Sequence, residues 1–76
     1  MNNTRRKNIE KVIRGIEDLK ETVESLLNEE QEYLDNMPES FQDSERGDIA
    51  KEAIDNMEAA IDSLDEAVDN LSEAAV

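Results

Sequence analysis

The sequence predicts an all-α fold: two long helices folded back on each other as an antiparallel, coiled-coil-like hairpin, with hairpins pairing into a four-helix bundle. Three observations carry this expectation. Apolar residues in the first half recur at alternating spacings of three and four, the period of a helical seam. The second half repeats a seven-residue unit, AIDNMEA, AIDSLDE, AVDNLSE, over residues 53–73. The single proline of the chain stands between the two halves, where it stops one helix and suits the first turn of another. With 76 residues the chain forms one small domain,.

The first helix is expected over about residues 4–36, roughly 50 Å at about 1.5 Å per residue. Its seam reads Ile9, Val12, Ile16, Leu19, Val23, Leu26, Tyr33 and Met37, with Glu30 in the one remaining place. Ile13, Leu27 and Leu34 form a second apolar flank beside it. Thr4 or Asn3 is the expected N-cap. Glu30 either reaches solvent at the edge of the seam or pairs with Arg46 or Lys51, and a polar seam residue of this kind fixes register. Gly15 costs about 1 kcal/mol relative to alanine inside a helix. It reads as a tolerated glycine, the alternative being a close helix crossing.

Asn36-Met37-Pro38 ends this helix, because the residue before proline is pushed out of the α region. The connection covers residues 37–44, with Pro38 to Gln42 suited to one short helical turn. Phe41, the only phenylalanine, is expected to plug the end of the seam near Tyr33, Leu34 and Ile49. An exposed Phe41 would instead mark a binding hot spot.

The second helix is expected over about residues 45–75, capped by Ser44 or Asp43, with Glu45 and Asp48 at the positive end of its macrodipole. Ala53, Ala60, Ala67 and Ala74 form one line along it, Ile54, Ile61, Val68 and Ala75 the next, and Met57, Leu64 and Leu71 complete the apolar face. A strict seven-residue repeat implies a left-handed supercoil.

Charge supports the antiparallel arrangement. The net charge is -13, but residues 1–20 hold six basic and three acidic residues, whereas residues 21–76 hold two basic and eighteen acidic ones. Basic residues at a helix N-terminus oppose the macrodipole. Folding the second helix back brings Asp62, Asp65, Glu66, Asp69 and Glu73 alongside them. Both helices also carry more apolar surface than one seam uses. Chains of this size obtain only about 3–5 kcal/mol from a single core, and oligomerisation is a usual remedy. The expectation is a homodimer, with Ile13, Leu27, Leu34, Ile54, Ile61 and Val68 assigned to self-association.

The composition excludes several kinds of chemistry. Histidine, cysteine and tryptophan are absent, which removes the usual ligands of zinc, copper and iron and the thiolate nucleophile. Carboxylates on the outside of a thin hairpin lack the water-poor site that general acid–base work needs. No calcium-loop spacing, phosphate loop or cofactor fingerprint occurs. The expectation is therefore no catalytic residue, no metal, no cofactor and no enzymatic activity. The acidic balance argues against direct nucleic-acid binding. Arg5-Arg6-Lys7 is not followed by an apolar core of signal-peptide length, since Glu10, Lys11 and Arg14 interrupt it,, and no stretch approaches the roughly 20 apolar residues of a membrane span. A cytoplasmic protein without membrane attachment is expected.

The segment from Glu32 to Arg46, EYLDNMPESFQDSER, is the most distinctive in the chain. With the flanking heptads it resembles small acidic helical proteins of bacteriophages and bacterial mobile elements, in which an Asn-Met/Leu-Pro-Glu core precedes a Gln and a Ser-Glu pair. The resemblance implies a short accessory protein that binds and redirects or disables a bacterial host protein, and it carries over no functional residue.

Two functions are expected on these grounds. The first is host-protein binding through the tip, Tyr33, Met37 and Phe41, and through the acidic face, Asp55, Asp62, Asp65, Glu66 and Asp69. Ten acidic residues between Glu45 and Glu73 give one charge per roughly 4 Å of helix, against one per about 1.7 Å for duplex DNA, so DNA mimicry is a sharper form of this expectation. The alternative is a structural module that self-associates or zips onto a partner helix.

Overall fold

The computed structural model describes residues 2–76. Helix α1 spans Asn3–Asp35, a single helical turn α2 spans Glu39–Gln42, and helix α3 spans Glu45–Ala74. The two long helices pack along their length into a rod of 58 × 15 × 11 Å between Cα positions. Their antiparallel register is fixed at two levels: Leu34 clusters with Ala50 and Ile54 near the connection, and Lys20 lies against Asp65 farther along. No helix among the described residues is long and apolar enough to cross a membrane.

Helix α1 begins one residue earlier than expected. Asn2 is extended, at φ -78° and ψ 165°, and its Oδ1 accepts from the Arg5 amide at 2.8 Å, so Asn2 rather than Thr4 or Asn3 satisfies the first free N–H groups. At the other end the Asn36 amide donates to the Glu32 carbonyl at 3.0 Å. Pro38 then adopts φ -57° and ψ 147°, and its carbonyl accepts from the Phe41 and Gln42 amides at 2.8 and 3.1 Å, which forms the short turn the sequence suggests. Ser44 takes the N-cap position of α3 with extended backbone. Its hydroxyl donates back to the Phe41 carbonyl at 2.5 Å instead of accepting from an α3 amide, so it ties the turn rather than capping the helix with its side chain.

The seam differs from the expected one on α1. The half-buried and buried positions of α1 are Arg6, Ile9, Ile13, Ile16, Lys20, Val23, Leu27, Glu30, Gln31 and Leu34, and half-buried Met37 continues the line just beyond its end. Val12, Leu19, Leu26 and Tyr33, expected inside, are 52, 61, 50 and 48% exposed. Both flanks border the common row Ile9, Ile16, Val23 at helical spacing. The flank that faces α3 includes Lys20, which is half-buried and extends its ammonium to Asp65 as a long side chain with an apolar stem can. On α3 the seam runs Gly47, Ala50, Ile54, Met57, Ile61, Leu64, Val68 and Leu71. Ala53 and Ala67 are half-buried at its margin, and Ala60 and Ala74 are exposed. Ile13, Leu27, Leu34, Ile54, Ile61 and Val68, assigned from the sequence to self-association, thus stand on the inner seam of the hairpin, because the other flank of α1 is the one left uncovered.

The two glycines have opposite surroundings. A Cβ at Gly15 meets nothing within 4 Å, so no close helix crossing occurs there. A Cβ at Gly47 would lie 2.0 Å from the Gln42 carbonyl oxygen and 2.7 Å from that of Phe41. The first turn of α3 therefore rests directly on the backbone of α2, an approach that only a residue without a side chain allows. Lys51 Nζ donates to the same Gln42 carbonyl at 3.1 Å, and Gln42 Nε2 donates to the Met37 carbonyl at 3.0 Å, so the corner is bound on three sides.

Candidate interaction surface

Seven-residue spacing sorts the exposed residues of each helix into rows. In an antiparallel pair, the row just before the seam on one helix borders the equivalent row on the other. On α1 that row is Val12, Leu19, Leu26, Tyr33; on α3 it is Arg46, Ala53, Ala60, Ala67, Ala74. Their shared side is evident at the loop end, where Tyr33 and Arg46 line one groove with Glu30, Glu45, Ile49 and Ala50, and a neighbouring groove with Asn36, Met37, Pro38 and Phe41. The opposite side is polar: Glu17, Lys20, Glu21, Glu24, Asp65 and Val68 line its groove.

Charge is segregated between these sides. Nine charged residues lie between Ile49 and Ala74. None of them falls in the alanine row or in the row outside it, Ile49, Asn56, Ser63, Asn70. On α1 the corresponding outer row, Asn8, Gly15, Thr22, Glu29, holds one charge. In a chain that is 38% charged, one whole side is therefore almost free of charge and carries a stripe of exposed branched apolar residues. Scattered exposed apolar side chains are ordinary, but a contiguous stripe of them is the usual mark of an interaction surface.

The tip departs from expectation at Phe41. Its side chain is 50% exposed and is no plug; Met37 packs against Leu34, Ala50 and Ile54 instead. The α2 turn is held against Gly47 through its backbone, which leaves the Phe41 ring on the outside. Glu30 is half-buried in the groove beside Arg46 and forms no ion pair with Arg46 or Lys51 among the described residues.

The acidic residues singled out from the sequence, Asp55, Asp62, Asp65, Glu66 and Asp69, are all exposed. Asp48, Asp55, Asp62 and Asp69 recur every seven residues and form one row on α3. Most of them lie along the shaft, away from Tyr33, Met37 and Phe41 at the tip, so the two sets do not make one patch. Asp65 belongs to the polar side, where Lys20 Nζ lies 2.5 Å from its carboxylate and 3.7 Å from that of Glu24. The hydrogen bond to Asp65 raises the Lys20 ammonium above its ordinary range, with partial desolvation opposing it,. Lys7, Lys11 and Arg14 form no ion pair among the described residues, whereas Lys20 pairs with Asp65 across the two helices.

No group of three or more acidic side chains among the described residues is placed to hold a metal ion. No protein-family model, curated protein or solved structure matches the chain. Of the residues on this side, Val12, Leu19, Leu26 and Tyr33 are the ones the sequence reading set inside the seam and the structure leaves exposed. The available signal was the absence of charge from the rows around them, which apolar periodicity alone does not register.

Proposed function

We propose that this chain is a non-catalytic protein-binding module, an accessory protein of phage type, that works in the cytoplasm by laying its uncharged side against another polypeptide. One observation carries the reading: Val12, Leu19, Leu26 and Tyr33 are about half exposed in a row on the one side of the rod that charge avoids. Covering such a stripe removes apolar surface from water at about 25 cal/mol per Å², and along the shaft between Tyr33 and Val12 it meets few charges to desolvate. Two hairpins pairing over it make a four-helix bundle, and a helix of a bacterial host protein seated on it is the alternative occupant.

A photo-crosslinking amino acid placed at Leu19 or Leu26, and as a control at Glu52, tests the reading in bacterial cells and in purified protein. Adducts from Leu19 and Leu26 and none from Glu52 are expected. Absence of any adduct from both stripe positions, in cells and in concentrated protein, would overturn it.

A second reading is supported by the exposed aspartate row at positions 48, 55, 62 and 69: a basic host surface, including one that binds DNA, is engaged by the acidic sides. Such binding weakens steeply with salt and competes with duplex DNA. A host partner held equally well at high salt would exclude it.

A further inference from the structure

We infer that the occupant of the uncharged side is a second copy of this chain, and that the two copies lie with their loops at the same end, the large row of each α1 seated on the alanine row of the other copy's α3. This rests on the protein-binding reading above and adds to it the partner and its orientation.

The first ground is self-complementarity of size. The register set by Leu34 near Ala50 and Ile54 and by Lys20 at Asp65 brings Tyr33 near the level of Ala53, Leu26 near Ala60, Leu19 near Ala67 and Val12 near Ala74. At four successive levels, the same side therefore offers one large residue and one alanine. Two face-to-face arrangements have two-fold symmetry. If the axis runs along the rod, α1 of one copy lies over α3 of the other, and every large residue meets an alanine. If the axis runs across the rod, α1 lies over α1 and α3 over α3, so large residues collide along one line and alanines leave a furrow along the other. Interiors pack at crystal-like density with large residues set against small ones, which selects the first arrangement. Every neighbouring pair of helices is antiparallel in both arrangements, so the macrodipoles favour neither and the fit of large residues on alanines decides.

The second ground is charge. Each copy carries -13, so two copies repel wherever their acidic rows approach. Only the side from which those rows are absent permits close contact. The third ground is area: a side 58 Å long and 15 Å across two helices is comparable with the roughly 800 Å² that each partner contributes to a standard interface.

Because the chain has no cysteine, single-cysteine variants report cleanly. Sedimentation should give twice the 8.6 kDa mass. Spin labels at Ser40→Cys, on the exposed α2 turn, should lie much closer together than the 58 Å length of the rod. Labels at Ser72→Cys should do the same at the other end. A separation approaching the rod length at either site would overturn the inference. Ala60→Trp should weaken association at least tenfold with helix content retained, although it adds apolar surface; Ala59→Trp, outside the side in question, should leave association unchanged. Tighter pairing of Ala60→Trp would overturn the large-on-alanine fit. A single-chain mass at every concentration would also overturn the inference. Crosslinking of Leu19 and Leu26 to another protein would then preserve the binding reading, and its absence would remove both.

Discussion

Around the connection, Leu34, Ala50 and Ile54 are buried, Gly47 is pressed onto the Gln42 carbonyl, and Lys51 ties α3 to the same group. At the opposite end of the rod the seam residues Ile9, Ile13, Ile16, Val68 and Leu71 are only half-buried, and no described residue there is fully buried. The same heptad pattern runs through both ends, so pattern alone does not account for the difference. What distinguishes the loop end is the connection itself: Met37 packs over Leu34, Ala50 and Ile54, and α2 supplies backbone for Gly47 to rest on. Two helices have no interior of their own, and where nothing closes over them their contact remains a line. The hairpin is thus packed at the corner and merely paired toward its open end.

The sharpest way to break that contrast is Gly47→Ala. The new Cβ overlaps backbone atoms of α2, which cannot swing aside as a side chain would. The expected loss is about 3 kcal/mol, most of what a chain of this size possesses, and thermal unfolding followed by circular dichroism measures it. Ile54→Ala should cost about 2 kcal/mol, and Val68→Ala, half-buried at the open end, under about 1 kcal/mol; equal losses in denaturant titrations would show that the two ends are equally packed. Gly15→Ala should act in the other direction, stabilising by about 1 kcal/mol, because the position is open and the helix gains a better former. The smallest effect concerns Lys20. Its folded-state pKa is raised, chiefly by the hydrogen bond to Asp65, so its contribution is complete below the ordinary lysine pKa of about 10.4 and is lost as pH rises through the higher folded value. Stability measured from pH 9 to 12 should therefore decline less steeply in Lys20→Met than in the parent chain.

Much of the architecture was legible in the residues. The period of three and four, the seven-residue repeat and the lone proline placed both long helices to within a residue or two, and Pro38 correctly announced the turn at α2. The inner flank of α1 was not legible. Rows 12, 19, 26, 33 and 13, 20, 27, 34 both border the same central row, and counting apolar residues favours the first because the second contains Lys20. Periodicity gives a lysine no credit for a buried stem, whereas the folded hairpin uses that stem and places the ammonium on Asp65. Gly47 was overlooked for a related reason. Its requirement comes from backbone five residues away, and no local pattern of residue types encodes that contact. Phe41 shows the reverse error: an aromatic ring near the end of a seam suggests a plug, but Met37 is flexible enough to fill the space and sits nearer to it.

The corner at Gly47 also fixes the phase of the molecule. Both arms start from a joint that tolerates no slack, so a one-residue insertion in either arm rotates everything beyond it by about 100° and disperses the uncharged side around the shaft. Seven residues added to each arm restore the phase and extend the rod by about 10.5 Å. Length can therefore vary in this scaffold only in matched quanta, one heptad per arm.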